Sequence, residues 1–288
     1  MKRKPEEEDD PVVEEQEDEE DQDEDDGERD SEDQELIDVD FDFFDPKEID
    51  FHGLKTLVKQ TFANDADEFD VSGIADAILA QPWLGSVVKA DGADDPYAVM
   101  TTLSLSPAEQ GGKLGVPMAA VKDYLLKKSK KSNESHDMLV SLLDSKNVGL
   151  LLHERLINMP PQLSVPLLKM LIEELEWSVE EKKMAKPFEY LLFISKTYTE
   201  VEPTSNEDDE AGPIKKKKKK GKQVILHFQQ EDEVVERFAE FQFDYHFSNQ
   251  NDHAELLQTA GIKTARRAYI LKTSKLQSLH DAIKEFTQ

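Results

Sequence analysis

The sequence has no cysteine among its 288 residues. This absence excludes disulfide scaffolds, thiolate zinc sites and cysteine nucleophiles. No apolar run approaches the length of about 18 residues that a membrane-spanning helix needs. Basic residues are scarce as well: 35 Lys and Arg stand against 63 Asp and Glu, giving a formal net charge of −28. This charge argues against direct DNA binding, because phosphate would be repelled unless a local basic patch overcame the repulsion.

The usual catalytic motifs are missing too. There is no G-x-S-x-G elbow, no G-x-x-x-x-G-K-S/T phosphate loop and no H-E-x-x-H zinc motif. The nearest glycine cluster is Gln110–Gly115, in which Lys113 stands where the acetyl-CoA motif R/Q-x-x-G-x-G/A needs its first glycine. The seven histidines have no metal-ligand spacing. We therefore predict no catalytic residue, no cofactor and no metal.

Charge divides the chain into two parts. Residues 1–35 hold 21 acids and 4 bases, a net charge of −17, and their apolar side chains beyond Met1 are Val12 and Val13. Such a segment cannot bury enough surface to offset the entropy lost on ordering. We predict a disordered acidic tail at 1–35 and a single domain at 36–288. Residues 202–222, which contain six consecutive lysines, are predicted to be a disordered insertion in that domain.

Hydrophobic periodicity predicts an α+β fold with a mixed, largely antiparallel sheet and flanking helices. Alternation near 37–43 predicts a strand, and Asp91-Gly92 predicts the turn of a hairpin. We expect further strands at 189–201, 224–228, 241–247 and 268–272. Residues 118–180 read as all helix, including a short helix at 150–157. Other helices are expected at 51–62, 70–80, 231–239 and 276–286.

The first strand presents one acidic face. Asp38, Asp40 and Asp42 alternate with apolar residues, so their carboxylates stack on the same side. A solvated face is one interpretation and a site for a hard cation is another. Docking of a basic partner is the third, and it makes these three residues our candidates for client binding. The later alternation of Phe241, Phe243, Tyr245 and Phe247 favours a core strand over base stacking.

Two basic clusters are candidates for nuclear-import signals, because importins read short exposed lysine runs. The alternatives for the longer cluster are binding to the acidic tail or to RNA. The residues are Lys2, Arg3 and Lys4, and then Lys215, Lys216, Lys217, Lys218, Lys219, Lys220 and Lys222.

Several segments together resemble the BCCIP family, and its fungal members in particular. The resemblance covers about residues 36–286, and the acidic N-terminus and lysine-rich insertion also look like the fungal type. The segments are Val39–Pro46, Asp50–Lys55, Val88–Gly92, Asp95–Ala98, Glu154–Gln162, Glu231–Glu233 and Phe241–Phe243.

The resemblance implies a fold similar to GNAT acetyltransferases without a working cofactor site. It also implies a non-enzymatic adaptor that shuttles between nucleus and cytoplasm. Such an adaptor would act in nuclear export and ribosome biogenesis, with the import and export machinery as partners. Its client would be a basic protein of the large ribosomal subunit, which it would chaperone. A divergent acetyl-CoA-dependent acyltransferase and a general histone-type acidic chaperone are the alternatives.

Overall fold

The fold is built on one eight-stranded sheet in a computed structural model that describes residues 39–90, 92–106, 115–201, 224–249 and 252–288, with 252–255 as backbone alone. The strand order is β1-β2-β3-β4-β5-β8-β7, and β6 lies beside β5. The strands are β1 Phe41–Phe44, β2 Ser86–Ala90, β3 Ala98–Ser104, β4 Val148–Arg155, β5 Tyr190–Glu200, β6 Leu226–His227, β7 Phe241–Tyr245 and β8 Ile262–Lys272.

The sheet is mixed and mostly antiparallel. Within the described strands, β4 and β5 form the parallel pair and the other neighbours run antiparallel. The predicted α+β class is therefore confirmed. Residues Val39–Gln288 form one compact unit. The predicted acidic tail, the lysine-rich insertion, both nuclear-import clusters and Asp38 lie outside the described residues.

Helices cover both faces of the sheet. They are α1 Phe51–Phe62, α2 Val71–Leu79, α3 Gly115–Ser129, α4 Asn133–Ser145, α5 Ser164–Glu180, α6 Asp232–Glu236, α7 Asp252–Thr259 and α8 Leu276–Phe286. The core under α1–α4 takes in Val87 of β2, whereas the core under α5, α6 and α8 takes in the next residue, Val88. Successive strand side chains point to opposite faces, so one strand feeds both cores. No helix in the described ranges is long and apolar enough to cross a bilayer.

Local signals account for the best-predicted elements. The spacing of Phe51, Leu54, Leu57, Val58 and Phe62 predicts α1 with the bounds that are observed. Helix α2 starts where Asp70 accepts a hydrogen bond from the Gly73 amide at 2.9 Å. Gly92 has a φ of 70°, as the predicted hairpin turn between β2 and β3 requires.

The predicted short helix at 150–157 is wrong, and so is the all-helical interpretation of 118–180. Residues Val148–Arg155 form strand β4 instead, and all eight residues of this strand are buried. β4 lies between β3 and β5 with both faces covered. A strand buried on both sides loses its alternation and reads as a continuous apolar run, here Leu150–Leu152, which periodicity cannot distinguish from a buried helix.

The last strand is longer than predicted. β8 starts at Ile262 rather than near residue 268. The prediction missed its first residues because Arg266 and Arg267 interrupt the apolar pattern, although both side chains are buried. The Arg266 guanidinium donates to the Gln60 and Thr61 carbonyls at the end of α1. Helix α7 was not predicted, and the predicted strand at 224–228 is shortened to β6 Leu226–His227.

Candidate functional site

Strand β1 is an open edge of the sheet. It pairs with β2, with Phe43 opposite Val88. The Val88 carbonyl accepts a hydrogen bond from the Tyr97 amide at 2.8 Å, so this peptide group faces β3. Val88 therefore makes no backbone hydrogen bond to Phe43, which lies opposite it, and Phe43 points its N–H and C=O groups away from β2. Phe41 does the same, because residues two apart in a strand direct their peptide groups to the same side. No described residue hydrogen-bonds to these outward groups.

The side chains of β1 separate into a buried and an exposed set. The rings of Phe41 and Phe43 are half-buried in the core beneath α5. Asp40 and Asp42 are exposed, and Phe44 on the same side as Asp42 is 40% exposed. The strand predicted near 37–43 is observed as β1 Phe41–Phe44, so of the predicted acidic face Asp42 lies in the strand and Asp40 directly precedes it. Contact of these residues with a client remains a prediction.

A surface depression of about 290 Å³ lies beside this acidic face. Its walls include the exposed side chains of Phe44 and Ile49. Lys89 also lines it, but the Lys89 ammonium is already held by the buried Asp50 carboxylate at 2.6 Å and the Asp94 carbonyl at 2.8 Å. The full lining is Asp42, Phe44, Asp45, Lys47, Ile49, Asp50, Lys89, Ala90, Gly92 and Ala93.

The carboxylates of the depression are available to a cation. Among the described residues, neither Asp42 nor Asp45 forms an ion pair. Lys47 places its ammonium over the Phe44 ring, 5.9 Å from the centroid. No group of three His, Cys, Asp or Glu residues that could hold a metal occurs in the described ranges. The geometry therefore suits an organic cation on an apolar stem better than a metal ion.

A buried charge network fills the gap between the diverging strands β4 and β5. These strands pair as far as Leu151 and Phe193 and then separate. Arg155 at the end of β4 donates to both carboxylate oxygens of Glu231, at 2.8 and 2.9 Å. Glu154 accepts from Lys196 at 2.6 Å and from the Thr61 hydroxyl at 2.8 Å. These bonds join β4 to β5, to α1 and to the start of α6.

Burial sets the protonation of this network. Burial alone would raise the pKa of Glu231, but the neighbouring His153 and the facing Arg155 guanidinium together outweigh it, and the net pKa is lowered. Burial, with the Glu231 charge, raises the pKa of Asp232 to about 8. Burial, with the nearby Arg155 and Lys196 charges, lowers the pKa of His153 to about 4. At neutral pH His153 is therefore an uncharged and weak base.

The serines of the network are not arranged as activated nucleophiles. Ser164 donates to Glu231 at 2.9 Å and lies 3.4 Å from His153 Nε2. The hydroxyl thus lies between carboxylate and imidazole, whereas a nucleophile triad needs the imidazole between the other two groups. Ser164 is fully buried, and the cavity that it lines has about 20 Å³, room for about one water. The arrangement joins structural elements, and the cavity beside it has no room for a substrate larger than about one water.

The opposite edge of the sheet, at β7, is partly covered, and we call it the closed edge. The Ser135 hydroxyl of α4 donates to the Gln242 carbonyl of β7 at 3.2 Å. Beyond β7, the buried Asp65 carboxylate accepts from the Ser248 amide at 2.8 Å and from the Lys128 ammonium at 2.7 Å. Phe243 and Tyr245 of β7 are buried, so the core-strand interpretation is confirmed for Phe241–Tyr245, whereas Phe247 lies beyond the end of the strand.

The BCCIP family model matches residues 36–235 of this chain. The chain belongs to the BCCIP family. Among its relatives, Protein bcp1 of Emericella nidulans is 39% identical over 91% of both chains, and that of Aspergillus oryzae is 36% identical over the same shares. Protein bcp1 of Schizosaccharomyces pombe is 34% identical over 88% of this chain and 91% of its own. The crystal structure of BCP1 from Saccharomyces cerevisiae has the same fold, with a TM-score of 0.58, 24% identity and coverage of 90% and 92%.

Five of the segments that resemble the BCCIP family meet in space, in two groups. Val39–Pro46 and Val88–Gly92 form the β1–β2 pair, and Lys89 reaches Asp50 of the Asp50–Lys55 segment. Glu154–Gln162 and Glu231–Glu233 meet in the buried network through the Arg155–Glu231 ion pair. Sequence reasoning missed this pair, because its members are 76 residues apart and no spacing rule connects them.

Of the glycine cluster Gln110–Gly115, which was considered as a cofactor motif, Gly115 lies among the described residues. Its last residue, Gly115, is buried and begins α3. Gln110 and Lys113 lie outside the described residues, so the structure adds nothing to the sequence argument at that position.

Proposed function

We propose that this BCCIP-family member is a non-enzymatic adaptor that binds and shields a basic client. The observation that carries the proposal is the open, acidic edge of β1, which follows almost directly after residues 1–35 with their net charge of −17. Two negative elements thus adjoin in the chain. The family resemblance suggests a basic protein of the large ribosomal subunit as the client, carried between nucleus and cytoplasm.

The two elements have different tasks in this proposal. The acidic tail attracts a basic protein over a distance, which speeds the encounter and weakens as salt rises. The β1 edge supplies the short-range contact, because its carboxylates lie beside exposed apolar walls. Together they would cover basic surface that otherwise binds RNA during ribosome biogenesis.

Association kinetics with a basic large-subunit ribosomal protein test the proposal. In a full-length variant, all Asp and Glu of residues 1–35 are replaced by Asn and Gln, which keeps the length and removes the charge. We expect slower association and a shallower dependence of the rate constant on salt. Equal rates and equal salt dependence would contradict the role of the tail. In competition with a histone, we expect preference for the ribosomal protein, whereas a general polyanion would prefer neither.

The acyltransferase alternative is less well supported. A GNAT-type fold remains a prediction, and the diverging parallel strands β4 and β5 fit it. In this chain, however, the side chains of Arg155 and Glu231 occupy the gap between them. Calorimetric titration with acetyl-CoA separates the two functions. We expect no binding heat, and micromolar affinity would favour the enzyme.

Nuclear import through the lysine clusters belongs to the same proposal. Replacement of Lys215–Lys220 and Lys222 by glutamine is expected to move a fluorescent fusion from nucleus to cytoplasm. Replacement of Lys2, Arg3 and Lys4 is the matched variant for the shorter cluster. Unchanged localisation with both clusters replaced would contradict the import role.

A further inference from the structure

We propose that the client is held by β-strand addition: an extended, lysine- or arginine-containing segment pairs with the open edge of β1 and extends the sheet by one strand. This inference rests on the proposed function, binding of a basic partner, and adds the mode of binding and its residues. The backbone of β1, its side chains and its charge each point to such an occupant.

The backbone of β1 supplies the hydrogen-bonding positions. The outward N–H and C=O groups of Phe41 and Phe43 form two donor–acceptor sets along one edge. Proline, which cannot donate, is absent from Phe41–Phe44, and the next proline along the chain is Pro46, beyond the end of the strand. An unpaired edge without proline is a template for an added strand. The inner edge of β1 is paired with β2 throughout, so addition requires no rearrangement.

The side chains of β1 select the chemistry of the added strand. Side chains on the face of Asp42 and Phe44 would approach the 290 Å³ depression. Its apolar wall at Ile49 suits an aliphatic stem, and the unpaired carboxylates of Asp42 and Asp45 suit a cationic end. Lysine and arginine combine both properties. An alternating basic and apolar segment therefore fits this edge, with its apolar residues on the face of Phe41 and Phe43.

Charge argues against a second copy of this chain as the occupant. Edge-to-edge pairing of two β1 strands would bring the Asp40 and Asp42 side chains of both copies together, and like charges across strands are destabilising. The acidic residues 1–35 are repelled for the same reason. Acids on an edge strand suppress self-pairing while they favour a basic partner. The lysine run Lys215–Lys220 of this chain has no apolar residues in alternation with its lysines, so a basic segment of another protein is the occupant that this edge fits.

Two peptides of identical charge test the mode of binding on the unmodified full-length protein. The first alternates lysine and valine. The second has the same sequence with N-methylated amides on alternate residues, on the side that would face β1, which removes the hydrogen-bond donors and adds steric bulk. Fluorescence anisotropy at constant salt gives both dissociation constants. We expect the methylated peptide to bind at least roughly tenfold more weakly, through the loss of two or more hydrogen bonds.

The outcomes separate this inference from the proposed function. Equal affinity of the two peptides would overturn strand addition and leave basic-partner binding intact. Binding of neither peptide at low salt would contradict both. A stable dimer in sedimentation, with exchange-protected Phe41 and Phe43 amides and no peptide binding, would assign the edge to a second copy and overturn the inference.

A matched pair of variants tests the same edge from the protein side. Phe41→Pro and Phe41→Ala both remove the ring, but the proline also removes the outward N–H. Since that N–H makes no bond to β2, the two variants are expected to have similar melting temperatures. The unmethylated peptide should bind Phe41→Pro several-fold more weakly than Phe41→Ala. Equal affinities for two folded variants would contradict strand addition.

Discussion

The two edges of the sheet have similar strands and opposite surroundings. Both β1 and β7 have aromatic residues at alternate positions, and Phe41 and Phe43 of β1, like Phe243 and Tyr245 of β7, direct their rings into a core. At β7, Ser135 satisfies an outward carbonyl, and Asp65 and Lys128 fix the chain that follows. At β1, no described residue performs that task. The comparison teaches that an edge is covered by residues far away in sequence, and that β1 is acidic where no described residue covers it.

The largest expected effect on stability comes from breaking the buried Asp65–Lys128 ion pair next to the closed edge. Asp65→Asn leaves the Lys128 ammonium buried without a counter-charge, so the free energy of unfolding should fall by about 3–5 kcal/mol. Asp42→Asn at the open edge is the matched control and should change it by less than about 0.5 kcal/mol. Urea denaturation measures both values. Similar losses for both variants would remove the distinction between the edges.

The pH dependence of the closed edge follows from the same carboxylate. Burial opposes ionisation of Asp65, but Lys128 and the Ser248 and Asn249 amides outweigh it, and the folded-state pKa lies below the reference value of 3.8. The unfolded state therefore takes up this proton first as pH falls. The contribution of Asp65 is complete well above pH 3.8 and is lost as pH falls through the folded-state pKa.

Denaturation at a series of pH values tests this sign. The stability difference between the wild type and Asp65→Asn should be constant near neutral pH and shrink on acidification. The Ser248 and Asn249 amides should lose exchange protection over the same range. A difference that grows as pH falls would contradict the assignment.

A smaller effect is expected from the hydroxyl that covers β7. Ser135→Ala removes the donor to the Gln242 carbonyl and should lower the free energy of unfolding by about 0.5–1.5 kcal/mol. Ser145→Ala is the control on the same helix, since its exposed hydroxyl bonds to the Ser141 carbonyl of its own helix. Thermal unfolding compares the two. An equal or larger loss at Ser145 would show that Ser135 does not close the edge.

The smallest expected effect on stability belongs to the acids of the open edge. Asp40→Asn combined with Asp42→Asn should change the free energy of unfolding by less than about 0.5 kcal/mol, because both side chains are exposed. Affinity for a basic peptide should fall a few-fold, as roughly 0.2–1 kcal/mol is lost per exposed charge pair. Unchanged affinity, measured at low salt, would mean that these carboxylates are merely solvated.

The sequence predicted the elements whose signals are local. Helix α1 follows from five apolar residues at helical spacing, and the β2–β3 hairpin from its glycine turn. Strand β4 could not be predicted in this way, because burial on both faces erases the alternation on which a strand assignment depends. In β8, Arg266 and Arg267 are buried against partners that periodicity cannot reveal.

The acidic chemistry of the candidate site could be predicted from the sequence, but its position at the edge of the sheet could not. The acidic character of this edge is visible in the alternation of Asp38, Asp40 and Asp42 in the sequence. That β1 is an edge strand depends on the order of eight strands, and that order is set by long-range pairing. The depression likewise needs Ile49 and Ala93 to meet beside β1. Sequence periodicity describes one strand at a time and contains none of these relations.

Hydrogen exchange of the β1 backbone tests most directly the claim that the acidic edge is the binding surface. The account predicts fast exchange of the Phe41 and Phe43 amides in the free protein. It predicts strong protection of both when a basic large-subunit ribosomal protein is bound, with the amides of β7 unchanged. Amides of Phe41 and Phe43 that exchange equally fast in the free and the bound protein would contradict it.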